Sequence, residues 1–333
     1  MGLAALWGWA ARRLAPDPSV PSPGALVRTS PLLRLAFLPL LLTWSGASRA
    51  GDYAAVDGAW DLLTSVEPSG SLCTTGDNDT FPLWYLQEVE GVRPDVTVVV
   101  GQYLYTDWYP RQLRELTSPD RQRPYDPEGP GSFDPARPPP ARSVTRMTGE
   151  ELDAVRGGVL GADQTVAFPE LSVTFPRGMS IDRSGWLTLR MIVDSAEERP
   201  IYFTTALGTM NRLGLAPFAV RQGLVHKLDV RSLEEAPREG LARGSEPYGG
   251  EWFDLPRSRY LWANVYRFRG LRDRAIWFDR ATLNIPWQLY ALAATLADVG
   301  READLPSDEV QGWEEAAAAF QIVASGGTRG TPR

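Results

Sequence analysis

The chain has 333 residues, 43% of them hydrophobic and 23% charged, with a net charge of −7. That length suggests roughly two domains of about 150 residues each, and the acidic balance without a basic stripe excludes a nucleic-acid partner. Cys73 and His226 each occur once, which rules out an intrachain disulfide and a zinc site made of Cys and His.

Residues 1–11 are apolar and lead to Arg12 and Arg13; a Pro/Ser-rich connector follows. Residues 31–47, PLLRLAFLPLLLTWSGA, are broken only by Arg34 and Pro39. Two readings compete. One is a membrane helix, somewhat short for the roughly 20 residues a span needs. The other is the apolar core of a secretory signal, cleaved after SRA and before Gly51. The long, Arg-bearing N-terminal flank favours the membrane helix and sets Arg12, Arg13, Arg28 and Arg34 on the cytoplasmic side. Either reading puts the bulk of the chain outside the cytoplasm. The apolar start resembles the tail of an earlier membrane helix, the expectation for the C-terminal piece of a polytopic protein.

Residues 52–66 read as an amphipathic helix, with Ala55, Ala59, Leu62, Leu63 and Val66 near one face. Residues 71–75, SLCTT, read as a strand. A helix then starts with Asp79 or Thr80 as its cap, has Pro82 in its first turn, and ends at Gly91. The β-branched run 96–100 predicts a strand buried on both faces. Strand, helix and strand have the size of a βαβ crossover, so the strands should be parallel. A capped helix over 106–116 precedes a segment, 119–140, with eight prolines, which cannot be a core element. Beyond it we expect one or two strands in 165–175, a helix over 187–196, a turn at 199–200 leading into a strand over 201–205, a short helix over 217–222 and a strand over 223–230. Residues 234–259 read as irregular, and 280–299 with 308–324 as a helical hairpin. The fold class is therefore α/β: a mostly parallel Rossmann-like sheet with flanking helices, preceded by one transmembrane helix and followed by a C-terminal helical hairpin. The expected divisions are 1–46 (membrane segment and cytoplasmic connector), 47–232 (extracytoplasmic α/β domain) and 233–333 (irregular loop and hairpin).

Parallel sheets bind ligands beyond the carboxyl ends of their strands. GDND, residues 76–79, follows the first strand, and TDWY, residues 106–109, follows the second. The ligand or acceptor candidates are therefore Asp77, Asn78, Asp79, Trp84, Tyr85, Asp107, Trp108 and Tyr109. Asp77 and Asp79 match the D-x-D pattern by which nucleotide-sugar transferases hold a divalent metal. They equally suit the N-terminus of a helix, where carboxylates meet free N–H groups and the positive dipole end; capping is the preferred reading. The aromatic residues fit either a sugar platform or packed core, with core favoured. Arg93 and Arg199 each precede a proline at a strand's start, which suits a structural turn or ion pair. Cys73 with His226 could form a dyad, but a thiol within a strand is more simply packed.

The blocks GDNDTFPLWYLQEVEGVRPDV, TDWYPRQL, RPIYFTT and GLVHKLDV, with SRAGDYAAVDGAWDLL, resemble a bacterial family of membrane proteins of uncharacterised function. That family is similar to the protein O-mannosyltransferase-like transmembrane proteins, and the resemblance spans most of 31–300. It implies a membrane glycosyltransferase that takes sugar from a polyprenyl-phosphate donor, with an acidic base in its first extracytoplasmic loop. This chain lacks that loop, so no catalytic residue is carried over, and no metal or cofactor is expected. The implied role is that of a C-terminal, non-catalytic part that positions a protein or glycan acceptor or stabilises the membrane part. An exported binding or scaffold domain, released by signal cleavage, is the alternative.

Overall fold

The computed structural model describes residues 38–48, 51–130, 138–168, 172–229, 240–244, 251–272 and 280–325. Helix α1, Leu38–Ala47, has 10 residues. No described helix is long and apolar enough to cross a membrane. Residues 31–37 of the expected span lie outside the described residues.

From Tyr53 onward the chain forms one unit. Helix α2 (Ala54–Ser65) leads to β1 (Ser71–Thr74), α3 (Asp77–Glu88) and β2 (Thr97–Val100). β1 and β2 are parallel, with Ser71 opposite Thr97, so the βαβ expectation holds. A 3-10 turn, Gly101–Tyr105, and α4 (Trp108–Leu116) follow. After the proline-rich segment come α5 (Gly149–Ala154), β3 (Gly158–Val159), the β4–β5 hairpin (Gln164–Ala167, Ser172–Phe175) and β6 (Ser180–Ile181). Helix α6, Arg183–Ser195, begins earlier than periodicity predicts because Asp182 caps it, accepting from Gly185 N–H at 2.7 Å. It feeds β7, Ile201–Phe203.

β7 lies parallel to β1 on the side away from β2. The triplet Ile-Tyr-Phe is buried on both faces: Tyr202 joins the larger core, and Ile201 and Phe203 join a second core with Phe175, Leu189 and Ile192. Up to this point the sheet is parallel. The rest corrects the expectation. β8 (Ala219–Gln222) and β9 (Val225–Leu228) are joined by the two-residue turn at Gly223 and Leu224, and so short a link permits only an antiparallel pair. Gly223 has φ +62°, and a Cβ there would sit 1.9 Å from the Tyr266 hydroxyl. β9 pairs antiparallel with β7, β11 (Trp252–Asp254) pairs parallel with β8, and β10 (Leu241–Arg243) closes the sheet antiparallel to β11. The order is β10-β11-β8-β9-β7-β1-β2, a mixed seven-stranded sheet and not a mostly parallel one.

Two further expectations are corrected. Residues 217–222 are not a helix: a 3-10 turn, Ala216–Phe218, runs straight into β8. The described parts of 234–259 are not irregular, because they supply β10, β11 and the start of α7 (Leu255–Asn264); strands of three residues carry too little periodicity to be seen. The hairpin forms as expected from α8 (Asn284–Glu302) and α9 (Ser307–Ala324). Leu289, Leu292 and Leu296 of α8 pack with Trp313 and Phe320 of α9 in the larger core. Gly300 permits the close approach: a Cβ there would stand 2.7 Å from the Trp313 ring.

Candidate functional site

β1 sends its crossover to β2 on one side and has β7 on the other, so the chain's direction switches between β1 and β7. At such a point the loops beyond the carboxyl ends diverge and leave a crevice. The GDND stretch lies there. Gly76, in extended backbone, is the N-cap of α3, and its lack of a side chain leaves no side-chain cap. Asp77 and Asp79 therefore fall in the first turn, Thr80 is buried within the helix, and Pro82 stands in the second turn. The cap expected at Asp79 or Thr80 is thus moved to Gly76, although the two carboxylates still meet the positive dipole end.

Asp77 and Asn78 are exposed and Asp79 is half-buried. Asp79 accepts from the Thr204 hydroxyl at 3.1 Å, which ties the end of β1 to the end of β7. Burial raises its carboxyl above the ordinary range, and hydrogen bonds from Thr204, Asn284 and the Thr75 backbone pull it partly back. Beneath it the buried Thr74 and Thr80 hydroxyls bond at 2.7 Å. Gln102, from the turn after β2, donates to the Thr75 carbonyl and closes the third side. Thr204, Asn284 and Gln102 were not among the sequence candidates. Thr204 stood in RPIYFTT just past a strand, a position that could have flagged it; nothing local marks Asn284, which reaches the site from α8.

The aromatic candidates divide. Tyr109 is buried, and its hydroxyl accepts from Val100 N–H at 2.8 Å and donates to the Val98 carbonyl at 3.1 Å. β2 is the sheet's edge, so this one hydroxyl stands in for a missing neighbour strand. Tyr109 is thus a structural residue, as the core reading expects, and burial pushes its phenol well up. Trp108, by contrast, is 54% exposed. Its ring meets Tyr109 edge-on at 5.4 Å and Tyr103 at 5.9 Å. Tyr103 continues to Trp84 at 6.1 Å, and Trp84 to the exposed Phe81 at 6.0 Å. A row of rings therefore runs along the carboxyl edge, with its two ends in solvent. Tyr85 lies exposed on α3 and donates to Glu90 at 2.7 Å, which raises its phenol.

Asp107 precedes α4 without capping it. Its exposed carboxylate meets Arg183 at 2.5 Å, and that hydrogen bond and charge hold it below the usual range. Arg183 also donates to the Tyr105 carbonyl at 3.1 Å, and the Tyr105 hydroxyl donates to Asp182 at 2.7 Å. The start of α6 is thereby fixed against the turn after β2. Of the described cavities, one of about 630 Å³ opens beside Trp108 along α4.

The remaining candidates resolve as structure. Arg93 and Asp95 form a buried pair at 2.9 Å. Arg199 is fully buried and donates to the carbonyls of Thr117 (3.1 Å) and Arg142 (3.0 Å) and to Gln122 (2.7 Å); burial lowers its guanidinium to about 10. Cys73 and His226 form no dyad. Phe203 is the register partner of both, which puts them two strands, or about 10 Å, apart. Burial pushes the Cys73 thiol up to about 12, and His226 pairs with Glu251 at 3.1 Å. Among the described residues no three His, Cys, Asp or Glu side chains gather as a metal-binding group.

These features define a mixed α/β domain with an exposed, partly aromatic carboxyl edge. Residues 55–124 match the family model of the TMEM260-associated domain 2, and the match contains β1, α3, β2, α4 and every candidate residue of the edge. No curated protein and no solved structure matches the chain.

Proposed function

We propose that the chain is the C-terminal, extracytoplasmic part of a bacterial membrane protein akin to the protein O-mannosyltransferase-like glycosyltransferases, and that it positions an acceptor without transferring sugar itself. The observation that carries the reading is that the matched stretch contains the aromatic edge. The TMEM260-associated match covers 55–124, and this same stretch builds the row of rings and the first-turn carboxylates at the carboxyl edge. A protein or glycan acceptor is the partner, and the polyprenyl-phosphate donor belongs to the membrane part. No residue is assigned as a catalytic base.

The test supplies the full chain in detergent with a labelled polyprenyl-phosphate sugar and Ser/Thr-rich peptides or oligosaccharides. The expected result is acceptor binding, weakened by substitutions along the edge, and no transfer of label. Transfer of label by this chain alone would overturn the non-catalytic assignment; the loss of all acceptor binding would overturn the positioning role.

A further inference from the structure

We propose that the groove along α4 is a binding site for a neutral oligosaccharide, with one pyranose ring stacked on Trp108. The proposal rests on the acceptor-surface reading above and names the acceptor's chemistry. The groove, of about 630 Å³, falls within the usual volume of small-ligand sites. Its described lining sets one ring, Trp108, among the polar side chains of Asp107, Arg111, Gln112, Glu115 and Asp153. A pyranose has the complementary surface: a C–H face that an indole covers, and a rim of hydroxyls that each donate and accept.

The charges in the groove argue for a neutral ligand. Asp107 is paired with Arg183, Glu115 with Arg121, and Arg111 with Asp153 through two nitrogen–oxygen contacts. Each charged side chain of the lining thus has an ion-pair partner, while the oxygen and nitrogen atoms keep capacity for further hydrogen bonds. The Gln112 side chain is exposed, and no described residue bonds to its amide. The same pairs disfavour insertion of this edge into a lipid surface, because three ion pairs beside the ring would have to leave water. The platform is also held in place before binding: Tyr109, fixed by its two backbone hydrogen bonds, meets the indole edge-on, and Tyr103, in contact with both rings, supports it as well. A ring already ordered loses little freedom when it is covered.

The experiment uses the full chain and saturation-transfer NMR with titration. The probes are neutral tri- to hexasaccharides of mannose, glucose and N-acetylglucosamine, with Ser/Thr-rich peptides and phosphatidylglycerol vesicles in parallel arms. At least one oligosaccharide should bind. Trp108→Ala should weaken it by about tenfold or more, Trp108→Phe should keep part of the affinity, and Gln112→Ala should cost a few-fold. Circular dichroism of each variant verifies the fold, and the exposed position of Trp108 makes the Phe variant a safe control. Absence of binding by every oligosaccharide, binding that survives Trp108→Ala, or Trp108-dependent binding to vesicles alone would each overturn the proposal. Peptide binding at the edge without sugar binding would overturn this proposal and leave the acceptor-surface reading intact. Sugar binding joined to transfer from a lipid-linked donor would do the reverse.

Discussion

The two ends of the parallel strands use charge in opposite ways. At the amino ends, Arg93 and Asp95 are sealed from water, and their partners are the chain itself: Arg93 donates to the carbonyls of Leu63 and Val66, and Asp95 accepts from Ser69 N–H. Arg93 even takes a left-handed backbone, φ 47°, to make these contacts. Arg199 does similar work two strands away, at the start of β7, holding the chain on both sides of the proline-rich segment. At the carboxyl ends, the carboxylates of Asp77 and Asp107 face water, and the rings of Phe81, Tyr105 and Trp108 are about half exposed. Buried charge fully engaged by backbone is a structural device. Exposed rings interspersed with charge make a surface suited to a partner. The comparison explains why two Arg-Pro steps and two Asp-bearing loops, all at strand ends, have such different roles.

The largest effect should come from breaking the amino end. Arg93→Ala leaves Asp95 as a buried carboxylate without its cation and frees two buried carbonyls, at a cost of about 3–5 kcal/mol. Urea unfolding should show a lower midpoint with an unchanged slope, while oligosaccharide binding below the transition stays as in the wild type. A variant that lost binding but not stability would erase the distinction between the two ends.

Next comes Tyr109→Phe, which links them. It removes the hydroxyl that serves the edge of β2 and strands the Val100 N–H, for about 1–3 kcal/mol. Because Tyr109 also supports Trp108, ligand affinity should fall along with stability. Hydrogen exchange at Val100 reads the first effect directly, and a rate equal to the wild type's would show that the hydroxyl is dispensable.

How much of this was legible in the sequence follows from the range of each interaction. The β1-α3-β2 crossover was readable because its pattern is local: SLCT, a helix-sized gap and TVVV. The helical hairpin was readable for the same reason. The rest of the sheet was readable only at β9, since β10 and β11 have three residues each and owe their place to pairing, β11 with β8 and β10 with β11, not to any period of their own. At the site, the position of Asp77, Asp79, Trp108 and Tyr109 beyond strand ends came from topology and held. Which of them faced outward did not: Trp108 and Tyr109 are adjacent in sequence, and only the edge of β2 decides that one is bound to backbone and the other left to solvent. Thr204 and Asn284 meet Asp79 from just past strand β7 and from helix α8, over 100 residues away in sequence; only Thr204, beyond a strand's end, stood at a position that could have flagged it.

The smallest effect tests whether the carboxyl end really stores a cost in Asp79. Its carboxyl is raised above the ordinary value of 3.8, chiefly by burial, so the folded state holds the proton more tightly than the unfolded chain does. Stability from this group is present in full below that ordinary value. It is lost as pH rises from there through the raised folded value, the reverse of a salt-bridged carboxylate. Asp79→Asn keeps the shape, keeps an oxygen to accept from Thr204 and removes the titration. Subtracting the two stability curves should therefore give a difference that grows in favour of the variant as pH rises above about 4 and then levels. The level isolates the desolvation cost from the hydrogen bonds, because the bonds alone would tilt the difference the other way. A difference that favours the wild type at neutral pH would mean that Thr204 and Asn284 more than offset burial, and the carboxyl edge would then be stabilised by its charge much as the amino edge is.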